Sequence, residues 1–236
     1  MINTDILIIG AGPTGLFTVF EAGLLKMKCH ILDSLTQPGG QCIELYPKKP
    51  IYDIPGYPEI IAGDLIENLL EQIKPFQPSY TLGETALNLD KLDDGSFKVT
   101  TDKGTEILAK IIAIAGGLGT FTPRKPNISN ISDYENKGIL YMIKDPSEFK
   151  DKKVVIAGGG DSALDWSIQL SKISKKLILI HRRNEFRGAD DSVASVQKLK
   201  DLGKIDVITP AQVEKLNGKS KLESIIIDVD GNKNKI

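Results

Sequence analysis

Cysteine and histidine are scarce in this 236-residue chain, two of each, and that scarcity excludes whole classes of protein. Cys29 and Cys42 are too few for a disulfide-stapled scaffold or a multi-cysteine zinc site. An excess of one charge is missing too. Thirty Lys+Arg stand against 31 Asp+Glu, a formal charge of −1, which argues against a chain whose main task is gripping nucleic acid or an anionic membrane. Long apolar runs are absent as well. The start has no basic leader, and its run 6–9 is broken by Gly10 and Gly12, far too short for a membrane span or a signal core. A soluble, cytoplasmic protein with reduced thiols is expected. The remainder is ordinary for a globular chain, 41% apolar and 26% charged. Glycine stands out, 22 residues or about 9% against a usual ~7%.

Much of that glycine belongs to an internal repeat. Residues 5–9 form a continuous apolar run, the pattern of a parallel strand buried on both faces. Gly10, Gly12 and Gly15 follow, then a helical stretch to about Leu25 and a second strand 29–32 ending at Asp33. Residues 153–157 start the same series again. They lead to Gly158, Gly159, Gly160 and Ala163, a helix to about Ile173, and a strand 177–180. Further on, 97–101 alternates like a strand and turns at Gly104 into a run ending at Gly116 and Gly117. Residues 224–229, turning at Gly231, match the start of that hairpin. Gly119, Pro123 and Pro126 punctuate the chain between the two units. Domains are therefore expected over 1–118 and 127–236, joined by a hinge at 119–126. A Pro- and Tyr-rich stretch, 46–58, reads as a long functional loop.

A dinucleotide's pyrophosphate needs close backbone approach and a helix N-terminus aimed at it. Gly10, Gly12 and Gly15 meet that need, and Gly158, Gly160 and Ala163 form the G-x-G-x-x-A version, with Asp161 and Ser162 between them. Each set follows a predicted strand and opens a predicted helix, the context that separates the motif from a chance glycine turn. Asp33, at the end of the second strand, suits a ribose 2′-hydroxyl. The matching position in the second unit is His181, followed by Arg182, Arg183 and Arg187. Cationic donors there suit a 2′-phosphate. One site without that phosphate and one with it point to FAD and NADPH, with hydride passing from nicotinamide to flavin.

These residues resemble the two-domain, thioredoxin-reductase-like flavoproteins, and most nearly their ferredoxin/flavodoxin–NADP+ reductase branch. The likeness runs the whole length. It rests on Gly39, Gly40 and Gln41, on Leu45, Tyr46 and Pro47, on 51–53, Pro123 and Arg124, on 158–166, and on His181, Arg182 and Arg183. The resemblance implies an α/β fold of two Rossmann-like domains of the three-layer ββα type. It places Thr14 at the FAD pyrophosphate, Gly40 and Gln41 on the flavin side, Tyr46 stacked on the isoalloxazine, Ala86 at adenine and Phe121 against the cofactor. It also implies a homodimer, and a further C-terminal segment that returns to the FAD domain and is lacking here.

Thioredoxin reductases carry a C-x-x-C just before the second unit, and the matching stretch 138–145 has no cysteine. Cys29 and Cys42 read as small buried hydrophobes. Electrons would then leave the flavin directly, one at a time, to ferredoxin or flavodoxin. Two alternatives stay open: an NADPH diaphorase acting on quinones or small acceptors, and a truncated nucleotide-binding protein without turnover. Trp166 shares a helical face with Ala163, Ser167, Leu170 and Ile173 and is expected in the core. The lysines of 172–176 and 198–204 read as solvated faces rather than a docking site.

Overall fold

A computed structural model describes residues 1–119 and 125–236. The chain divides into two compact units. One comprises Met1–Thr122 with Met142–Lys144, the other Pro123–Tyr141 with Asp145–Ile236.

The first unit opens with β1 (Ile2–Ile9), α1 (Pro13–Leu24) and β2 (Cys29–Asp33), then α2 (Gln41–Glu44). The stretch 46–58, expected to be a loop without regular structure, instead contributes β3 (Pro50–Ile51), which pairs antiparallel with β4 (Ile60–Ile61) just beyond it. The ribbon stops at two residues because Pro50 has no N–H to extend the ladder. Then come α3 (Ala62–Ile73), β5 (Ser79–Leu82), β6 (Ala86–Lys91), β7 (Phe97–Thr101) and β8 (Glu106–Ile114). The strands form one six-stranded sheet in the order β5-β2-β1-β8-β7-β6. β8 joins its two halves, antiparallel to β7 through 106–109 and parallel to β1 through Ile107–Ile114.

Two apolar layers flank the parallel strands. Ile6, Ile8 and Ile31 pack with Leu16 and Val19 of α1 and Ile66 and Ile73 of α3. Leu7 and Leu32 point the other way, onto Val99, Ile107 and Ala109. That accounts for the unbroken apolar run in β1, whose alternate residues serve both layers. Leu16, fully buried, contributes roughly 1.5–3 kcal/mol by burial.

The second unit repeats the plan with β9 (Lys153–Ala157), α4 (Asp161–Leu170), β10 (Lys176–Ile180), α5 (Asp190–Asp201) and β11 (Asp206–Ile208). It finishes with β12 (Gln212–Asn217), β13 (Ser224–Val229) and β14 (Asn232–Lys235). Its strands form two three-stranded sheets, β11-β10-β9 and β12-β13-β14. β14 pairs with β13 only, so the double pairing that makes β8 continuous has no counterpart among the described residues. Ile178 and Ile180 still pack against Leu216, Ile225 and Ile227 of the antiparallel layer. α4 ends at Leu170 rather than at Ile173. Its buried positions are Leu164, Ser167 and Leu170, and Trp166 is only half-buried. The inward face is thus turned by one residue from the expected stripe.

Candidate functional site

The turn after β1 is stitched between two strands. The Gly10 N–H donates to the Leu32 carbonyl at 2.8 Å, and the Ala115 N–H donates to the Ile9 carbonyl at 2.8 Å. Gly10 has φ +111°, and a Cβ there would run into the Ala115 carbonyl. A Cβ on Gly15 would collide with the Gly10 carbonyl oxygen, so α1 can leave the turn this tightly only with glycine at that position. Pro13 stands in its first turn, which carries no acidic residue. The unpartnered amides of that turn therefore keep their full attraction for an anion.

A second glycine pair leans on this turn. The Gly39 N–H donates to the Ala11 carbonyl at 2.8 Å. Gly40, at φ +55°, lies so near that its Cβ would be 3.0 Å from the Gly12 Cα. Gln41 opens α2, and its amide nitrogen lies 3.5 Å from the place of a Cβ on Gly117. Thr14 with Ile114, Ala115, Gly116, Gly117 and Gly119 lines a cleft of about 530 Å³. The structure thus assembles Gly10, Gly12, Thr14, Gly15, Gly40 and Gln41 around one glycine-walled space. Glycine backbone, free amides and the lack of an acid at the helix start fit a diphosphate-bearing cofactor.

Asp33 stands beside that space. Its Oδ2 accepts the Ala11 N–H at 2.6 Å and its Oδ1 the Leu35 N–H at 2.8 Å. Its backbone carbonyl accepts the Glu84 N–H at 3.1 Å, which brings Ala86 close, packed on the cluster that contains Leu32. Tyr46 is half-buried at the edge of the main core, with the Lys49 ammonium 5.6 Å from its ring centre. Burial, and after it the Cys42 thiol, pushes the Tyr46 phenol up to about 12. Burial also raises the Cys42 thiol. Phe121 lies outside the described residues.

The second turn is built alike and differs where it matters. The Gly158 N–H donates to the Ile180 carbonyl at 3.0 Å, as Gly10 does to Leu32. A Cβ on Gly158 would stand 2.8 Å from the Ala163 methyl, so the tight contact here is with a side chain rather than a carbonyl, and alanine fits where Gly15 is required. Ser162 is exposed. Asp161 Oδ1 accepts the Ala189 N–H at 2.7 Å.

His181 departs from the expected cationic donor. It is 6% exposed, its ring occupies the space a Gly159 side chain would need, and it stacks on Phe186 at 5.6 Å. Burial, and then the positive charges of Arg187, Arg183 and Arg182, pull its pKa down against the opposing effect of the Glu185 backbone. Burial and the guanidiniums beside it both disfavour a proton on this ring. Arg182, Arg183 and Arg187 are exposed, and among the described residues none has an ion-pair partner within 4.0 Å. Three unneutralised cations therefore flank the second turn, where the first has Asp33.

Residues 114–119 escaped the sequence reading as part of the site. The signal was there, in Gly116, Gly117 and Gly119 directly after a long strand, but their approach to Thr14 depends on the β1–β8 pairing. Ala189 carried no signal at all. No helix among the described residues is long and apolar enough to cross a membrane.

A family model described as pyridine nucleotide-disulphide oxidoreductase matches residues 4–236. The chain is 65% identical over 236 residues to a ferredoxin–NADP reductase of Flavobacterium johnsoniae, covering 100% of this chain and 67% of that protein. It is 66% identical over 227 residues to ferredoxin–NADP reductase 2 of Christiangramia forsetii, covering 96% and 64%. The chain thus spans about two thirds of the length of these curated relatives. Among solved structures, a T. acidophilum thioredoxin reductase superposes with TM-score 0.83 at 23% identity, covering all of this chain and 74% of that one. A Lactococcus lactis thioredoxin reductase gives 0.82 at 24%, covering 99% and 74%. These two likenesses establish the two-unit Rossmann-like fold. With a match along nearly its whole length and two-thirds identity to its relatives, the chain belongs to the pyridine nucleotide-disulphide oxidoreductase family, among the ferredoxin–NADP reductases of thioredoxin-reductase-like fold.

Proposed function

We propose that the first unit holds FAD, the second holds NADPH, and the protein passes electrons between NADPH and ferredoxin or flavodoxin. The observation that carries this reading is the contrast at the two ribose ends, a carboxylate at Asp33 against three unpaired guanidiniums after His181. Bound FAD would supply the redox chemistry, taking two electrons as hydride from the nicotinamide and releasing them singly.

The side chains bind and orient. The amides left free in the glycine turns 10–15 and 158–163 hold the two pyrophosphates, with Thr14 and Ser162 at their rims. Asp33 retains lone pairs after accepting from Ala11 and Leu35, and these accept a ribose hydroxyl. Gln41 contacts the flavin side, Tyr46 offers a ring for stacking, and Ala86 lies at the adenine end. Arg182, Arg183 and Arg187 bind the 2′-phosphate by charge-assisted hydrogen bonds. Both cysteines are free and buried, with thiols raised by burial, which favours an external carrier over a dithiol relay. The relatives' printed names favour ferredoxin as that carrier. A homodimer in the cytoplasm completes the reading.

The test is to purify the protein, record its flavin absorbance, and compare NADPH with NADH in driving reduction of ferredoxin and flavodoxin. Yellow protein, a strong NADPH preference and reduction of either carrier are expected. A preference for NADH, or quinone reduction with neither carrier reduced, would overturn the proposal.

A further inference from the structure

An aspartate at the start of a phosphate-binding helix is electrostatically awkward. α4 carries Asp161 in its first turn, whereas α1 has no acid there. A carboxylate facing the pyrophosphate would oppose the helix end's attraction for it. The structure turns it elsewhere. Asp161 Oδ1 accepts the Ala189 N–H at 2.7 Å, across 28 residues of chain.

That bond belongs to a set of ties between the glycine turn and the segment bearing the arginines. The Arg187 N–H donates to the Gly159 carbonyl at 2.7 Å. The His181 ring fills the space left by the missing Gly159 side chain. Gly188 passes so close that a Cβ on it would stand 3.1 Å from Asp161 Oδ1 and 3.3 Å from the Asp161 nitrogen. Every residue from 182 to 187 except Phe186 is exposed, so little packing holds the segment between these ties. Its three guanidiniums also repel one another. A loop with few buried contacts and like charges would otherwise spread through many conformations, and ordering it on binding would cost affinity.

We propose that Asp161 is a positioning residue for coenzyme choice. By accepting the Ala189 N–H it latches the segment 182–189 to the second glycine turn, so that Arg182, Arg183 and Arg187 are pre-set for a 2′-phosphate. This rests on the NADPH assignment above. The latch concerns only the end of the coenzyme that differs between NADPH and NADH, so its loss reads out as a change in their ratio.

Both ends of the bond can be cut separately. Asp161→Ala removes the acceptor. Ala189→Pro removes the donor and displaces the Asp161 carboxylate with its ring, and the Ala189 φ of −55° is one that proline adopts. Asp161→Asn keeps a carbonyl acceptor and discards the charge. Binding of NADPH and NADH to the 236-residue chain is measured by calorimetric titration, with thermal unfolding run on each variant. Asp161→Ala and Ala189→Pro should each weaken NADPH about tenfold, the scale of a hydrogen bond to a charged group, and leave NADH within about twofold. The double variant should lose no more than either single one. Asp161→Asn should bind NADPH like the parent. If Asp161→Ala fails to fold, Ala189→Pro and Asp161→Asn still decide the matter. Equal losses for both coenzymes, additive losses in the double variant, or an Asp161→Asn as weak as Asp161→Ala would overturn the latch. A parent chain that binds NADPH no better than NADH would instead overturn the NADPH assignment itself.

Discussion

The Asp33 carboxylate accepts the Ala11 N–H at 2.6 Å, and with the Gly10 N–H on the Leu32 carbonyl it ties the end of β2 to the first glycine turn. The same carboxylate accepts from Leu35. Asp33 therefore shapes the turn, apart from the ribose contact proposed for it.

Asp33→Ala should act on both counts. Two backbone donors lose their acceptor, a cost of about 1–3 kcal/mol, and the purified protein should carry much less flavin than the parent. Asp33→Asn, which keeps one carbonyl acceptor, should fall between them. Urea denaturation and the ratio of flavin to protein absorbance check both outcomes.

The third positions of the two glycine turns should respond unequally to exchange. Gly15→Ala drives a methyl into the Gly10 carbonyl, which cannot move without disturbing β1, at a cost of about 1–3 kcal/mol or more. Ala163→Gly removes a methyl that faces the bare side of Gly158. It should cost about 1 kcal/mol, mostly helix propensity. Denaturation midpoints of the two variants give the comparison.

Both histidines, His30 and His181, are buried and have lowered pKa values, with burial the leading cause in each. His30 sits between two hydroxyls, Nδ1 at 2.7 Å from Ser79 Oγ and Nε2 at 2.9 Å from Thr81 Oγ1. Hydroxyls serve the neutral and the charged ring equally, so desolvation decides. With the folded pKa below the unfolded value near 6.5, the unfolded chain takes up protons first. Stability should therefore hold above about pH 6.5 and fall as pH drops below it. Urea midpoints measured at steps from pH 8 to about pH 5 test this, and His30→Gln should flatten the slope.

Replacing Arg182 and Arg183 together with glutamine should weaken NADPH by about 10- to 100-fold, through lost charge-assisted bonds. NADH, lacking the 2′-phosphate, should be little affected. Steady-state KM values for the two coenzymes are the measurement, and equal losses would refute the phosphate role.

The strand–glycine–helix units could be read from the chain because everything that specifies them is local. The unbroken apolar run at 5–9, the glycines at 10, 12 and 15 and the carboxylate at 33 lie within one βαβ unit. The same holds for 153–163 and the arginines after β10. Burial on both faces, turn sterics and helix start are each encoded over a dozen residues or fewer. The ribbon within 46–61 was missed because its two short strands are separated by a Pro-rich stretch without periodicity. Trp166 was misplaced because two helical stripes, one residue apart, were nearly equally apolar.

By itself, then, the sequence determined the number of strand–glycine–helix turns, their positions, and the opposite charge that follows the second strand of each unit. Only the tertiary structure decided how those parts are held. It put His181 in the space vacated by Gly159, making it a packing ring, and set Asp161 to hold Ala189. It brought 114–119 against Thr14 through the β1–β8 register. These are contacts across roughly 20 to 100 residues, set by which strands pair and in what register, and no local pattern carries that information.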